Sequence, residues 1–267
     1  MARLLFITKP NVLCLSLAVC GAFAGASGLL LNMEARAQAT STIDPTVPSL
    51  DMAWEKRAEM HPVIIAFLKS KPKLPDNYEI LYRVARLGYY GGFFALPKES
   101  SDEDKMDLFR FATDAAERAR KADPKRVEGH YWYAVNLGGW GIAKGIRASL
   151  GSAEGMRLAL DEAIKIDPKY HFAGPYRVRG RLFFKLPGGF ISFGDNKKAL
   201  EDLKKALELA PESKLNYAYL AEIQNKVESK QAALKSVELA KNLPDVVGIV
   251  EESTYRRELG ELEKKFR

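Results

Sequence analysis

Cysteine is almost missing from this chain of 267 residues: there are two, Cys14 and Cys20, both within the first twenty positions. The rest of the chain therefore has no disulfide scaffold and no cysteine-ligated zinc site. Histidine is as scarce. His61, His130 and His171 lie far apart, which argues against an imidazole-rich metal site. No segment alternates apolar and polar residues with β-branched enrichment over about five positions, so strands are not expected. A Gly-x-Ser-x-Gly elbow, a His-Glu-x-x-His helix and a Walker phosphate loop are all lacking. Those spacings are what nucleophile, metal and phosphate chemistry require. The reading is a protein that is not an enzyme and uses no metal or cofactor. Beyond residue 31, no stretch reaches the roughly 18 apolar residues of a membrane span.

What the sequence does have is a globular composition, 47% hydrophobic and 28% charged, with 41 Lys+Arg against 34 Asp+Glu and a formal net charge of +7. That much apolar surface can offset the ordering entropy of folding. The basic excess is dispersed. Its lysines alternate with acids, as in LEDLKKALELAPESK, which describes a solvated helix face and not a stripe for nucleic acid.

Residues 1–39 have the layout of a targeting segment. Arg3 and Lys9 precede an almost wholly apolar or small run over 11–31, and a polar stretch follows with small-x-small sites ending at Ala37 and Ala39. Three outcomes are open: a cleaved secretory signal peptide, an uncleaved membrane anchor, or lipidation at Cys20 within the partial lipobox Leu17-Ala18-Val19-Cys20. Each would place residues 40–267 outside the cytoplasm of a bacterial host, in the periplasm or tethered to a membrane. Residues 40–50, with two prolines and several hydroxyl side chains, read as a linker.

Residues 51–267 read as one helical-repeat domain. Four segments share small or apolar residues at helical spacing that run into a proline: Ala112, Ala116, Ala119 before Pro124; Leu160, Ala163, Ile164 before Pro168; Ala199, Leu203, Ala206, Leu207 before Pro211; and Ala233, Val237, Ala240 before Pro244. The small residues let two helices cross closely, and the proline ends the hydrogen-bond ladder. The prolines are separated by 44, 43 and 33 residues. The last spacing is close to the roughly 34 residues of a tetratricopeptide unit, and the first two imply insertions. The fold expected is all-α, a tetratricopeptide-like α-solenoid of paired antiparallel helices. Segment 77–95 should pair with 102–122, and 173–186 with a helix capped by Asp195. Residues 51–71 should be a helix or a broken helix pair, interrupted at Pro62, and the C-terminal helices a polar cap.

The segments NYEILYRVARLGYY, GHYWYAVNLGGWGIAKG, AIKIDPKYHFAGPYRVRGRLFFKLPGG and FGDNKKALEDLKKALELAP, together spanning roughly 77–245, resemble a helical-repeat superfamily. It holds the periplasmic T component of TRAP-type transporters, and the segments are also similar to the eukaryotic regulator-of-microtubule-dynamics proteins. The resemblance implies a binding or scaffold protein. Its partner would be a protein, such as a periplasmic solute-binding subunit to which a small ligand is handed. A generic interaction protein of envelope assembly is the alternative. The longer connection FISFGDN departs from the usual short Gly-Gly-Asp turn.

Two groups of residues stand out as candidate ligand-binding side chains. On a helix over 129–145, Trp132, Asn136 and Trp140 fall on one face, with Tyr133, Leu137 and Ile142 on the opposite, core-like face. Gly138, Gly139 and Gly141 cost about 1 kcal/mol each there. Either close helix packing or a ligand explains them. In the second case Asn136 and His130 would be polar handles in an aromatic pocket. Arg83 with Arg86, and Arg177 with Arg181, are spaced to share a helix face. They suit either a bound carboxylate or neighbouring acids such as Glu79.

Overall fold

Helix starts are written locally in this chain. Asn77 accepts from the backbone N–H of Glu79 and Ile80, Ser101 from Asp104, Asp195 from Lys197 and Lys198, Ser213 from Asn216, and Ser229 from Ala232. Each bond satisfies a donor left orphaned at a helix N-terminus and is worth about 1 kcal/mol. The structure, a computed structural model, describes residues 42–145 and 147–267. Residues 1–39, read from sequence as a targeting segment and holding Cys14 and Cys20, lie outside the described residues.

The helices in order are α1 (Val47–Glu55), α2 (His61–Ser70), α3 (Tyr78–Tyr90), α4 (Asp102–Ala122), α5 (Val127–Lys144), α6 (Leu150–Ile166), α7 (Tyr170–Lys185), α8 (Asn196–Leu209), α9 (Lys214–Val227), α10 (Lys230–Lys241) and α11 (Glu252–Phe266). A π-helical turn, Gly91–Ala95, extends α3, and a short 3-10 turn, Arg147–Ser149, precedes α6. From α3 to α10 each odd helix packs on the even helix that follows it, and each odd helix packs on the next odd helix: α1 on α3, α3 on α5, α5 on α7, α7 on α9, α9 on α11. This is a tetratricopeptide-like α-solenoid in which the odd helices form one continuous layer.

The alanine pattern marks the crossings. Ala112, Ala116, Ala119, Ala163, Ala199, Ala206, Ala233 and Ala240 are all fully buried. One crossing is closer still, because a Cβ placed on Gly88 of α3 would lie 2.1 Å from the Cβ of Ala112 on α4. The glycines of α5 have the same explanation. A Cβ on Gly139 would sit 2.5 Å from the Phe109 ring, and one on Gly129 would sit 2.7 Å from the backbone nitrogen of Arg120. Helix packing accounts for Gly129 and Gly139, and for Gly138, where a Cβ would lie 3.0 Å from the Met156 methyl carbon.

Two expectations are corrected. Helix α1 begins at Val47, inside the stretch read as a linker, with proline in its first turn. Over 51–71 the chain is a broken helix pair, and Pro62 opens its second helix, α2, since its missing N–H is one that a first turn leaves unbonded anyway. On α5 the faces are reversed. Trp132 and Asn136 are fully buried, whereas Ile142 is 69% exposed. Both faces of that helix are apolar, so periodicity alone could not choose between them.

The start of α7 is unusual. His171, Phe172 and Ala173 take left-handed backbone angles, with φ of 50°, 58° and 54°. Left-handed geometry costs roughly 1–2 kcal/mol per non-glycine residue, so other contacts must hold it. The right-handed helix runs on from Gly174 and Pro175. The space at Gly174 is filled by the Tyr131 hydroxyl, 2.6 Å from where a Cβ would sit.

Candidate functional site

The left-handed turn is held by Arg177, one helical turn further along α7. Its guanidinium donates to the carbonyls of Phe172 (3.0 Å) and His171 (3.3 Å), to Asn216 Oδ1 (3.0 Å) and to the Tyr131 hydroxyl (3.1 Å). Asn216 also donates to the Phe172 carbonyl at 3.1 Å. Arg177 is 4% exposed, and no carboxylate is among these partners. A buried guanidinium stays protonated, so its positive charge is balanced only by dipoles.

Arg177 faces a cavity of about 30 Å³ in the odd-helix layer. That volume holds a water or two, or the head of a small anion, but not a drug-sized ligand. Trp54 of α1, Arg57 just after it, Tyr89 of α3, His171 and Phe172 of the α7 turn, Lys214 of α9, and Glu251, Glu252 and Tyr255 at the start of α11 are among the lining residues. Two of the three buried cations are neutralised. Arg57 binds Glu251 through two nitrogens at 2.9 and 3.0 Å, and Lys214 lies 2.7 Å from Glu252. Arg177 is left as the surplus charge.

His171 adds no further charge. Burial, with help from Arg177, Arg57 and Arg86, drives its pKa down to about 3. Its Nδ1 lies 3.3 Å from a guanidinium nitrogen and 3.1 Å from the Tyr131 hydroxyl. The guanidinium can only donate, so Nδ1 accepts and the ring proton is assigned to Nε2. A consequence follows for stability. The unfolded histidine takes up a proton near pH 6.5, and the folded one does so only near pH 3. The unfolded state therefore binds more protons across that window, and stability falls as pH drops from about 6.5 towards 3, by roughly 1.4 kcal/mol per pH unit from this group. Urea unfolding at pH 7 and pH 5 should show the loss. It should shrink in His171→Asn, a substitution that tolerates the left-handed backbone. An unchanged slope in that variant would remove His171 as the cause.

The other residues singled out from sequence are dispersed. Trp132 lies behind the cavity, its indole N–H donating to the Tyr170 hydroxyl at 3.0 Å and its ring 5.0 Å from His171 and 5.3 Å from Tyr89. Asn136 donates to the carbonyls of Ala85 and Trp132, tying α5 to α3. His130 is engaged with the Pro124 carbonyl at 2.9 Å, next to the turn between α4 and α5. Neither lines the cavity; the carbonyls engage the Asn136 amide nitrogen and one His130 ring nitrogen, and Asn136 Oδ1 and His130 Nδ1 are buried without a hydrogen-bond partner among the described residues. Trp140 is half-buried under the Lys144 ammonium, 4.4 Å from its ring centre, away from the cavity. Arg83 and Arg86 both bind Asp51, at 2.8 and 2.9 Å, and Arg83 also binds Glu79. They pin α1 to α3 and are not open to a ligand's carboxylate. Arg177 and Arg181 part company. Arg181 pairs with Glu222, and its guanidinium lies 4.2 Å from the Tyr219 ring centre, in a separate groove of about 340 Å³ beside α11.

Sequence reasoning missed Arg57, Lys214, Glu251, Glu252 and Tyr255, and gave His171 no part in a site. Arg57 and Glu251 are 194 positions apart, and no local pattern joins them. A hint lay in Gly-Pro at 174–175, which announces a helix start and hence a special turn before it. Among the described residues, no cluster of histidine, cysteine and carboxylates could hold a metal, and no helix is long and apolar enough to cross a membrane.

Residues 49–186, from α1 to the end of α7, match the family described as Regulator of microtubule dynamics protein 1-3. The chain is 30% identical over 193 residues to the human regulator of microtubule dynamics protein 2, covering 66% of this chain and 45% of that protein. It is 28% identical over 208 residues to the mouse regulator of microtubule dynamics protein 3, covering 73% of this chain and 43% of that protein. It thus spans less than half the length of these curated relatives. A crystal structure of a thermophilic TPR protein from Thermus thermophilus superposes with a TM-score of 0.52 over 88% of this chain and 97% of that one. At 18% identity that likeness is one of fold.

Proposed function

The chain belongs to the regulator of microtubule dynamics protein 1-3 family, and from that premise we propose that it is a non-catalytic helical-repeat binding protein that receives a carboxylate group of a protein partner at Arg177. The observation that carries this reading is a guanidinium, 4% exposed and without a carboxylate, facing a small cavity walled by Trp54, Tyr89, Phe172 and Tyr255. A carboxylate there would complete the charge balance of the buried guanidinium. The rest of the odd-helix layer supplies the scaffold. The relatives are named for regulating microtubule dynamics, and a binding role is what the Arg177 site supports in this chain. The extracytoplasmic location is part of the proposal and rests on the order of basic, apolar and small residues in 1–39. Its narrower form, ligand hand-over to a solute-binding protein of a TRAP-type transporter, rests on the segment resemblance alone.

A peptide array tests the reading without altering the protein. Peptides ending in a free carboxylate or bearing Glu should bind, and the same peptides amidated and carrying Gln should bind at least about tenfold more weakly, the expected loss for one charge-assisted contact. Equal binding of both sets would sink the proposal. Arg177→Lys, which keeps the charge but loses the fork, should weaken binding to an intermediate degree.

A further inference from the structure

The longer connection between α7 and α8 is built as a rigid projection. The Gly194 N–H donates to the Pro187 carbonyl and the Asp195 N–H to the Phe183 carbonyl, both at 3.0 Å, so the base of the loop is closed. Gly194 is required for that closure, since a Cβ on it would lie 2.0 Å from the Leu186 carbonyl oxygen. Phe193 turns inward, its ring edge-on to Phe183 at 6.1 Å. Phe190 and Ile191 point the other way. They are 112% and 70% exposed, adjacent, and at the tip of a loop whose base is fixed.

Two neighbouring apolar side chains held into solvent cost free energy unless something covers them. The charge around them identifies the cover. Lys185, Lys197 and Lys198 flank the loop base and are exposed. Lys226 reaches the same side, its ammonium 5.5 Å from the Phe184 ring centre. Of the acids nearby, Asp195 caps α8 and lies 3.8 Å from Lys198, Glu222 pairs with Arg181 and Lys185, and Glu201 is exposed one turn along α8 from Lys197. Lys197 makes no ion pair among the described residues. A convex apolar tip inside a collar of lysines is a poor match for a protein interface, which wants roughly 800 Å² per partner. It is a good match for the headgroup region of an anionic bilayer, where an aromatic and an aliphatic side chain insert and each lysine adds attraction.

We propose that the 187–194 loop is a membrane-contact element, with Phe190 and Ile191 inserting into an anionic lipid surface and Lys185, Lys197 and Lys198 holding its headgroups. It is independent of the Arg177 cavity.

The test uses the full chain and reads the loop itself, so that the apolar run at 11–31 does not confuse the result. Phe190→Trp and, as control, Leu239→Trp on exposed α10 are mixed with vesicles of brominated phosphatidylcholine containing about 30% phosphatidylglycerol. Wild-type emission is subtracted for Trp54, Trp132 and Trp140. The added indole should be quenched severalfold more at position 190 than at 239. Adding Lys197→Glu and Lys198→Glu should lower the loop's partition by about tenfold or more. Equal quenching in the two tryptophan variants would overturn the proposal, as would none in Phe190→Trp, which is the result expected of a protein-docking tip.

Discussion

Trp132→Ala should cost about 3–5 kcal/mol of folding stability, the range for emptying a large buried aromatic site. Trp132 is fully buried and meets four rings on three other helices: Trp54 at 6.4 Å on α1, Tyr89 at 5.3 Å on α3, and Tyr170 and His171 at 6.3 and 5.0 Å at the start of α7. Removing it takes away ring contacts, edge-to-face with Trp54, Tyr170 and His171 and tilted with Tyr89, of a kind worth about 0.5–1.5 kcal/mol each beyond area. It also deprives the Tyr170 hydroxyl of its indole donor. Against a total stability of about 5–15 kcal/mol, that loss is a large fraction. Thermal unfolding followed by circular dichroism should show a midpoint lower by on the order of 10 °C for a chain of this length. Trp140→Ala, at a half-buried site, should lose less than half as much. Comparable losses in the two variants would mean that Trp132 is not the centre of the core.

Arg57→Met should be nearly as damaging, by a different route. The Arg57–Glu251 pair is 4% exposed on both sides, and breaking a buried pair from one side leaves an uncompensated charge at a cost of about 3–5 kcal/mol. Arg57 also donates to the carbonyls of Trp54 and Gly248, so it joins the first described helix to the segment leading into the last. The double variant Arg57→Met/Glu251→Met should recover much of the loss, because a buried pair replaced by apolar groups of similar volume is often close to neutral. A double-mutant cycle in urea measures the difference. If the losses simply add, the pair is not coupled. Hydrogen exchange should rise at the start of α11 in Arg57→Met but less so in the double variant.

These two sites differ in how far they could be read in advance. Trp132 and its glycine-rich helix stood out in the sequence, yet two apolar faces competed for the core, and only the packing of α3 and α4 against α5 decided between them. Its glycines offered ligand approach or close packing, and Phe109 settled that by occupying the space beside Gly139. Arg83 and Arg86 were visible as a pair, but Asp51, which takes both, sits on a different helix. The cavity was less legible still. Arg177 was noticed for its spacing to Arg181, whereas the property that matters is its lack of a carboxylate, and Arg181 faces elsewhere.

The sequence by itself determined the helices, their caps and their order, because a cap, a proline or an alanine stripe acts within one or two turns of chain. It also determined that the helices pair in a repeated way, since each must bury the same kind of face. Only the tertiary structure decided where α11 lies, which cations find an acid, and that three non-glycine residues turn left-handed before α7. Those outcomes depend on groups up to 194 residues apart, and on a backbone strain that no local preference favours and that Arg177 and Asn216 hold in place.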